Sequence, residues 1–218
     1  MDQKRGLRGG LWLLLFVLFT FLVKKVDVAP VGPKGTEIGF SKLNMLVWNV
    51  VGVHHYLYTI TQALGVLALL VCGYFALVGA IQLVRRRRIL AVDRNILVTG
   101  GLYVVVLALY AFFEKVIVNY RPVIMPDAAM PEASYPSSHT MLICVVMISA
   151  MMLMKDYMFP NPRVRKIARI VCWVIVGVTV FGRLFCGVHW FTDIVGGVLL
   201  SAGLLNLYAS LLTEPRRK

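Results

Sequence analysis

Charge is scarce in this sequence, and negative charge is scarcest. Charged residues make up 15% of the 218, with ten Asp and Glu against 23 Lys and Arg. Soluble domains carry roughly a quarter of their residues as charged types, so a water-exposed globular fold is excluded. Cysteine is equally thin. Cys72, Cys144, Cys172 and Cys186 stand singly in or beside apolar runs, and no CxxC spacing occurs. That excludes a disulfide framework and a cysteine zinc site, and leaves four small packing residues. There is no clear internal repeat and no low-complexity tract. The net charge of +13 would point to nucleic acid in a soluble chain. Here the cations flank apolar runs, so they orient the chain in a bilayer, and no nucleic-acid partner is expected.

What the chain has in abundance is hydrophobic sequence, 59% of its residues. It falls into six runs, at residues 9–25, 56–84, 95–113, 138–157, 167–186 and 190–212. Each reaches the roughly 17 residues or more that a helix needs to cross a bilayer. The predicted fold is all-α, an integral membrane bundle of six transmembrane helices forming one domain over residues 1–218. The first run follows Lys4, Arg5 and Arg8, as a signal peptide would. Its exit, Val26-Asp27-Val28-Ala29, is a poor small-residue cleavage site, so it reads as an uncleaved span.

Between the first two spans, Pro30, Gly32, Pro33 and Gly35 predict a loop. From Ser41 to His55, the residues Leu43, Leu46, Val47, Val50 and Val51 recur at helical spacing, with Ser41 as the cap. This predicts an amphipathic helix lying on the membrane surface. His54 and His55 are adjacent, cannot share a helix face, and read as interfacial polar residues. Six spans put both termini on one side. Sixteen Lys and Arg lie at the termini and in the connections 85–94 and 155–169, against seven on the other side. The positive-inside rule then places the termini in the cytoplasm, and loop 114–137 and the turn near residue 187 outside.

Two polar clusters meet on that outer side. In Gly182-Arg183-Leu184-Phe185-Cys186-Gly187-Val188-His189-Trp190-Phe191-Thr192-Asp193, an arginine, a histidine and an aspartate interrupt apolar sequence. His189 and Asp193 are four residues apart and share one face of a helix. A carboxylate so placed holds an imidazole in one tautomer and stabilises its cation. A turn at Gly187 would bring Arg183 back over that imidazole, and Arg suits phosphate through its planar fork of donors. Read blandly, the same stretch is a helix end with a snorkelling Arg and a capping Asp. The second cluster is Arg121-Pro122 followed by Tyr135-Pro136-Ser137-Ser138-His139-Thr140. Helix four is expected to start at these serines, and a helix N-terminus is a ready anion site. Ser137 and Ser138 also suit plain N-caps.

Together these residues resemble the three-part signature of the type 2 phosphatidic acid phosphatase family, K-x6-R-P, P-S-G-H and S-R-x5-H-x3-D. The chain reads Glu114 to Arg121-Pro122, then Pro136-Ser137-Ser138-His139, then Gly182-Arg183 with His189 and Asp193 at the same spacings. The resemblance implies His189 as the nucleophile that takes the phosphoryl group and Asp193 as its orienter. It implies His139 as the acid for the leaving oxygen, and Arg121, Arg183, Ser137 and Ser138 as the phosphate cradle. Three positions depart from the signature. Glu114 stands where the family has Lys, with Lys115 one residue later as a candidate substitute; Gly182 replaces Ser; Ser138 replaces Gly.

The activity implied is hydrolysis of a lipid phosphate or diphosphate at the outer face, through a phosphohistidine, without metal or other cofactor. Undecaprenyl diphosphate, phosphatidylglycerophosphate and phosphatidate all suit these motifs, and a bacterial cell membrane is the expected location. Glu114 and Gly182 keep a second reading open, a family member that binds or moves a phospholipid with little catalysis. Two histidines and a carboxylate also suit a metal, but two arginines beside them disfavour a cation. A vanadate-dependent peroxidase, related through the same motifs, is disfavoured by six spans.

Overall fold

The structure, a computed structural model, describes residues 2–125 and 128–213. The basic tail at residues 216–218 lies outside the described residues. Among the described residues seven α-helices run in order: α1 (Gln3–Lys25), α2 (Ser41–Val51), α3 (His55–Arg86), α4 (Arg94–Lys115), α5 (Ser138–Tyr157), α6 (Pro162–Phe185) and α7 (Phe191–Leu211). Among the described residues, six of these, all except α2, are long and apolar enough to cross a membrane. Short polar side chains set several starts. Asp2 accepts from the Arg5 N–H at the head of α1, and Ser137 accepts from the Thr140 N–H at α5. Asn161 accepts from the N–H groups of Arg163 and Val164 at α6, where Pro162 stands at the first helical position.

The layering follows from which helices bury both faces. In α5 the residues Ile143, Val145, Val146, Met147, Ala150 and Leu153 are all buried, because α3, α6 and α7 surround it. The helix α7 is the second central element, packed against α5 on one side and along α1 on the other. The α1 contact is close at Gly203, where a Cβ would lie 2.5 Å from Leu13 Cδ2. The helices α1, α3, α4 and α6 turn Leu14, Val66, Leu70, Leu107, Trp173 and Phe181 outward. So much exposed apolar surface is unfavourable in water and favourable in hydrocarbon. The chain is an integral membrane protein.

The surface helix α2 has an unusual polarity. Its polar face points inward: Ser41 and Asn44 are buried, while Leu43, Leu46 and Val50 are exposed. It ends at Val51, four residues before His55, because Gly52 turns the backbone into the positive-φ region at +71°.

Candidate active site

One end of the bundle collects the polar clusters. It is built from the C-termini of α4 and α6, the N-termini of α5 and α7, the loop 116–137 and α2. The loop is stiffened by a short antiparallel pairing of Tyr120 with Ala133. In that pairing the Arg121 N–H donates to the Glu132 carbonyl at 2.9 Å, and the Ser134 N–H to the Asn119 carbonyl at 3.0 Å. Trp190 Nε1 donates to the Tyr120 carbonyl at 2.7 Å, tying the loop to the head of α7.

His189 sits in the turn between α6 and α7. Gly187 makes that turn with φ +72°, and a Cβ there would lie 2.8 Å from Val53 Cγ2. His189 Nδ1 lies 3.5 Å from Asp193 Oδ2, and both side chains are fully buried. The same carboxylate oxygen accepts the Trp190 N–H at 2.9 Å, which fixes its orientation. On the opposite edge of the ring, His189 Nε2 faces Arg183 Nη2 at 3.4 Å. Burial holds the His189 pKa well below its ordinary value, and the Arg183 and Arg121 guanidinium charges push it the same way. The imidazole is therefore neutral at pH 7.

Arg183 is itself immobilised. Its Nη1 donates to Thr61 Oγ1 at 3.3 Å, and its guanidinium lies 5.1 Å from the centre of the Tyr58 ring. A cavity of about 500 Å³ opens beside it, with Arg121, Ser138, His139, Arg183 and Glu114 at its polar end. Its walls continue as Leu69, Cys72, Val106, Leu107 and Val146. A small pocket on the other flank is lined by His189, Ser134, Arg121 and Ser138.

The structure thus brings His139, Ser138, Arg121 and Arg183 to one cavity, with His189 in the adjoining pocket and Asp193 behind it. Ser137 has a different placement. It lines neither space; its Oγ is turned into α5, accepting from the Thr140 hydroxyl at 3.0 Å, and its N–H donates to the Asp193 carbonyl at 3.0 Å. Lys115 ends α4 in an exposed position and lines neither space, whereas Glu114 lines both. Arg121 is paired with Glu132 at 3.1 Å.

Sequence reasoning passed over two groups of residues. Tyr58, Thr61 and Gln62 of α3 face the site, and their signal was polar side chains inside an apolar run. Asn44, Asn119 and Thr192 form a buried network at the head of α7. Asn44 Nδ2 donates to Thr192 Oγ1 at 3.0 Å, and Asn44 Oδ1 accepts the Thr192 N–H at 3.2 Å. Asn119 Nδ2 donates to the same hydroxyl at 3.4 Å. Scattered asparagines in loops give no periodic signal.

A buried His–Asp pair, two arginines and a helix N-terminus meet at the polar end of the cavity, an arrangement of donors that suits a phosphoryl group. The sequence pattern of the PAP2 superfamily matches residues 96–217, and the chain belongs to that superfamily. No curated protein sequence matches it. Among solved structures, the fold is similar to that of the transmembrane PAP2-type phosphatidylglycerolphosphate phosphatase from Bacillus subtilis. The TM-score is 0.59 at 19% identity, over 93% of each chain. Family and fold together make the chain a membrane-embedded member of the PAP2 superfamily.

Proposed function

We propose that this protein hydrolyses a lipid phosphate or diphosphate at the outer face of a bacterial cell membrane, through a phosphohistidine and without a metal. The observation that carries the proposal is the buried His189, with Asp193 Oδ2 3.5 Å from Nδ1 and Arg183 Nη2 3.4 Å from Nε2. A proton on Nδ1 toward the carboxylate leaves the Nε2 lone pair facing Arg183 Nη2 at rest, and ready to attack once the phosphoryl oxygens draw that guanidinium to themselves. In the first step Nε2 bonds to phosphorus, and the bond to the lipid oxygen breaks with its electron pair. His139 gives that oxygen a proton. Arg183 and Arg121 neutralise the phosphoryl oxygens, the work a metal does in other phosphoryl-transfer sites. Asp193 stabilises the imidazolium. In the second step His139, left neutral by the first, takes a proton from water as that water attacks phosphorus; the P–N bond breaks with its electron pair returning to His189, phosphate is released, and His139 is again the acid.

The apolar walls of the 500 Å³ cavity suit the tail of a substrate that stays in the bilayer. Phosphatidylglycerophosphate, the class named for the Bacillus subtilis protein, is the first substrate to test, before phosphatidate and undecaprenyl diphosphate. Positive charge at the far end of the bundle (Arg85–Arg88, Arg94, Arg163, Arg165, Lys166 and Arg169) supports an outward-facing site and cytoplasmic termini. The whole chain acts as one domain in this reading. Glu114, a carboxylate lining the cavity, favours the alternative of a lipid-binding member with weak catalysis.

Rapid quenching of the full-length protein with 32P-labelled phosphatidylglycerophosphate in EDTA tests the mechanism. Wild type is expected to release phosphate and trap an acid-labile, alkali-stable phosphoenzyme, and His189→Ala to do neither. A phosphoenzyme in His189→Ala removes the nucleophile. Activity lost in EDTA and restored by a divalent ion removes the arginine cradle. Tight lipid binding without turnover on the whole panel selects the alternative.

A further inference from the structure

Position 182 lacks the hydroxyl that the family signature carries there, and the structure shows what occupies the space. A Cβ on Gly182 would lie 2.8 Å from Thr61 Cγ2, nearer than side-chain carbons approach. Thr61 is fully buried. Its hydroxyl proton is shared between the carbonyls of Leu57 and Tyr58, each 2.9 Å away, so the oxygen offers a lone pair to Arg183 Nη1 at 3.3 Å. One turn before it, Tyr58 underlies the guanidinium. One turn after it, Gly65 leaves room for His139, whose ring would be 3.2 Å from a Cβ at that position. Tyr58, Thr61 and Gly65 fall at i, i+3 and i+7 on one face of α3. All three precede residue 96, where the match to the family pattern begins.

We infer that Thr61 is a positioning residue for Arg183, and that the absent Cβ at Gly182 lets α3 place Thr61 in the space that a serine on α6 would fill. The physical reason is preorganisation. An Arg side chain loses considerable rotamer freedom when it clamps an anion. Here Thr61 takes Nη1 and Tyr58 holds the plane, so Nη2 already points at His189 Nε2 before substrate arrives. The oxygen is an acceptor with its proton engaged elsewhere, so it serves the arginine and does not contact phosphate directly. The exchange predicts that positions 61 and 182 are coupled through shared space.

Resting on the phosphatase reading above, the test uses full-length protein in phosphatidylglycerophosphate mixed micelles, with thermal unfolding followed in parallel. Thr61→Val keeps the shape and loses the oxygen. Loss of a buried hydrogen bond to a charged group corresponds to roughly a tenfold to hundredfold drop in kcat/KM, expected here with little change in melting temperature. Thr61→Ser is expected to recover most of that drop. In an Arg183→Lys background Thr61→Val is expected to add nothing further, because its effect runs through the guanidinium. Gly182→Ser is expected to lose activity alone and to regain most of it with Thr61→Ala, which clears the clash and returns a hydroxyl from α6. If wild type is active and Thr61→Val matches it, this inference falls while the phosphatase reading stands. Additive effects of the substitutions at 61 and 182 also overturn it. If wild type turns over no lipid phosphate, the phosphatase reading falls and this inference goes with it.

Discussion

His189 is an ionisable group enclosed by protein and faced by two guanidinium charges. Its pKa is therefore held down by burial first and by Arg183 and Arg121 second. In the unfolded chain it returns to about 6.5, so unfolded protein binds a proton that folded protein refuses. Stability from this residue is complete above about pH 6.5 and is lost as pH falls below that value. The melting temperature of wild type minus that of His189→Asn, measured in detergent, is expected to shrink from pH 7.5 to pH 5; a difference constant with pH would count against a neutral buried imidazole. The sequence put His189 and Asp193 on one helix face; the structure places His189 in the turn before α7, and Asp193 in the first turn of α7 reaches back to it. The choice between Glu114 and Lys115 was not readable in the sequence. Adjacent residues on a helix point about 100° apart, so the pitch of α4 alone decides that Glu114 lines the cavity and Lys115 stands outside it.

At the scale of elements, α2 is tied to the turn that carries His189. Its spacing of apolar residues foretold an amphipathic surface helix, and the described helix has that character. What its spacing did not convey is the use of the polar face. Asn44 caps the head of α7 through Thr192, and Trp48 Nε1 donates to the Gly187 carbonyl at 3.2 Å. These contacts hold both sides of His189. Asn44→Ala leaves the buried Thr192 N–H without its partner, at a cost of about 1–3 kcal/mol. The expected outcome is a lowered melting temperature together with a fall in kcat, since the turn carrying His189 loosens. An unchanged kcat with a lowered melting temperature would confine the network to a purely structural role. The head of α5 was also foreseen as an anion site with Ser137 and Ser138. The structure divides their work, with Ser137 turned into the helix as its cap and Ser138 facing the cavity.

Across the whole molecule, α5 and α7 are the two buried helices, and the remaining spans pack around them. Every polar group named in the mechanism lies at one end, opposite the cationic connections at residues 85–94 and 163–169. In the proposed positive-inside orientation that end is external. A cysteine placed at Ala128 in a cysteine-free background is expected to react with an impermeant maleimide in intact cells. One placed at Asn161 is expected to react only after the membrane is opened. The opposite pattern would turn the bundle over and put the site in the cytoplasm.

Composition and hydrophobic run length were sufficient for an all-helical membrane bundle, because burial in lipid acts on every residue of a span and leaves a signal about twenty residues long. The three-part signature singled out Arg121, His139, Arg183, His189 and Asp193, and the structure places all five at one end of the bundle. Tertiary packing alone decided that α3 completes the arginine site through Tyr58 and Thr61, that Gly182 makes room for it, and that Asn44 reaches Thr192 across 148 residues. Such contacts depend on where two distant helices cross. A single polar residue in an apolar run carries no mark of the partner that the crossing will bring to it.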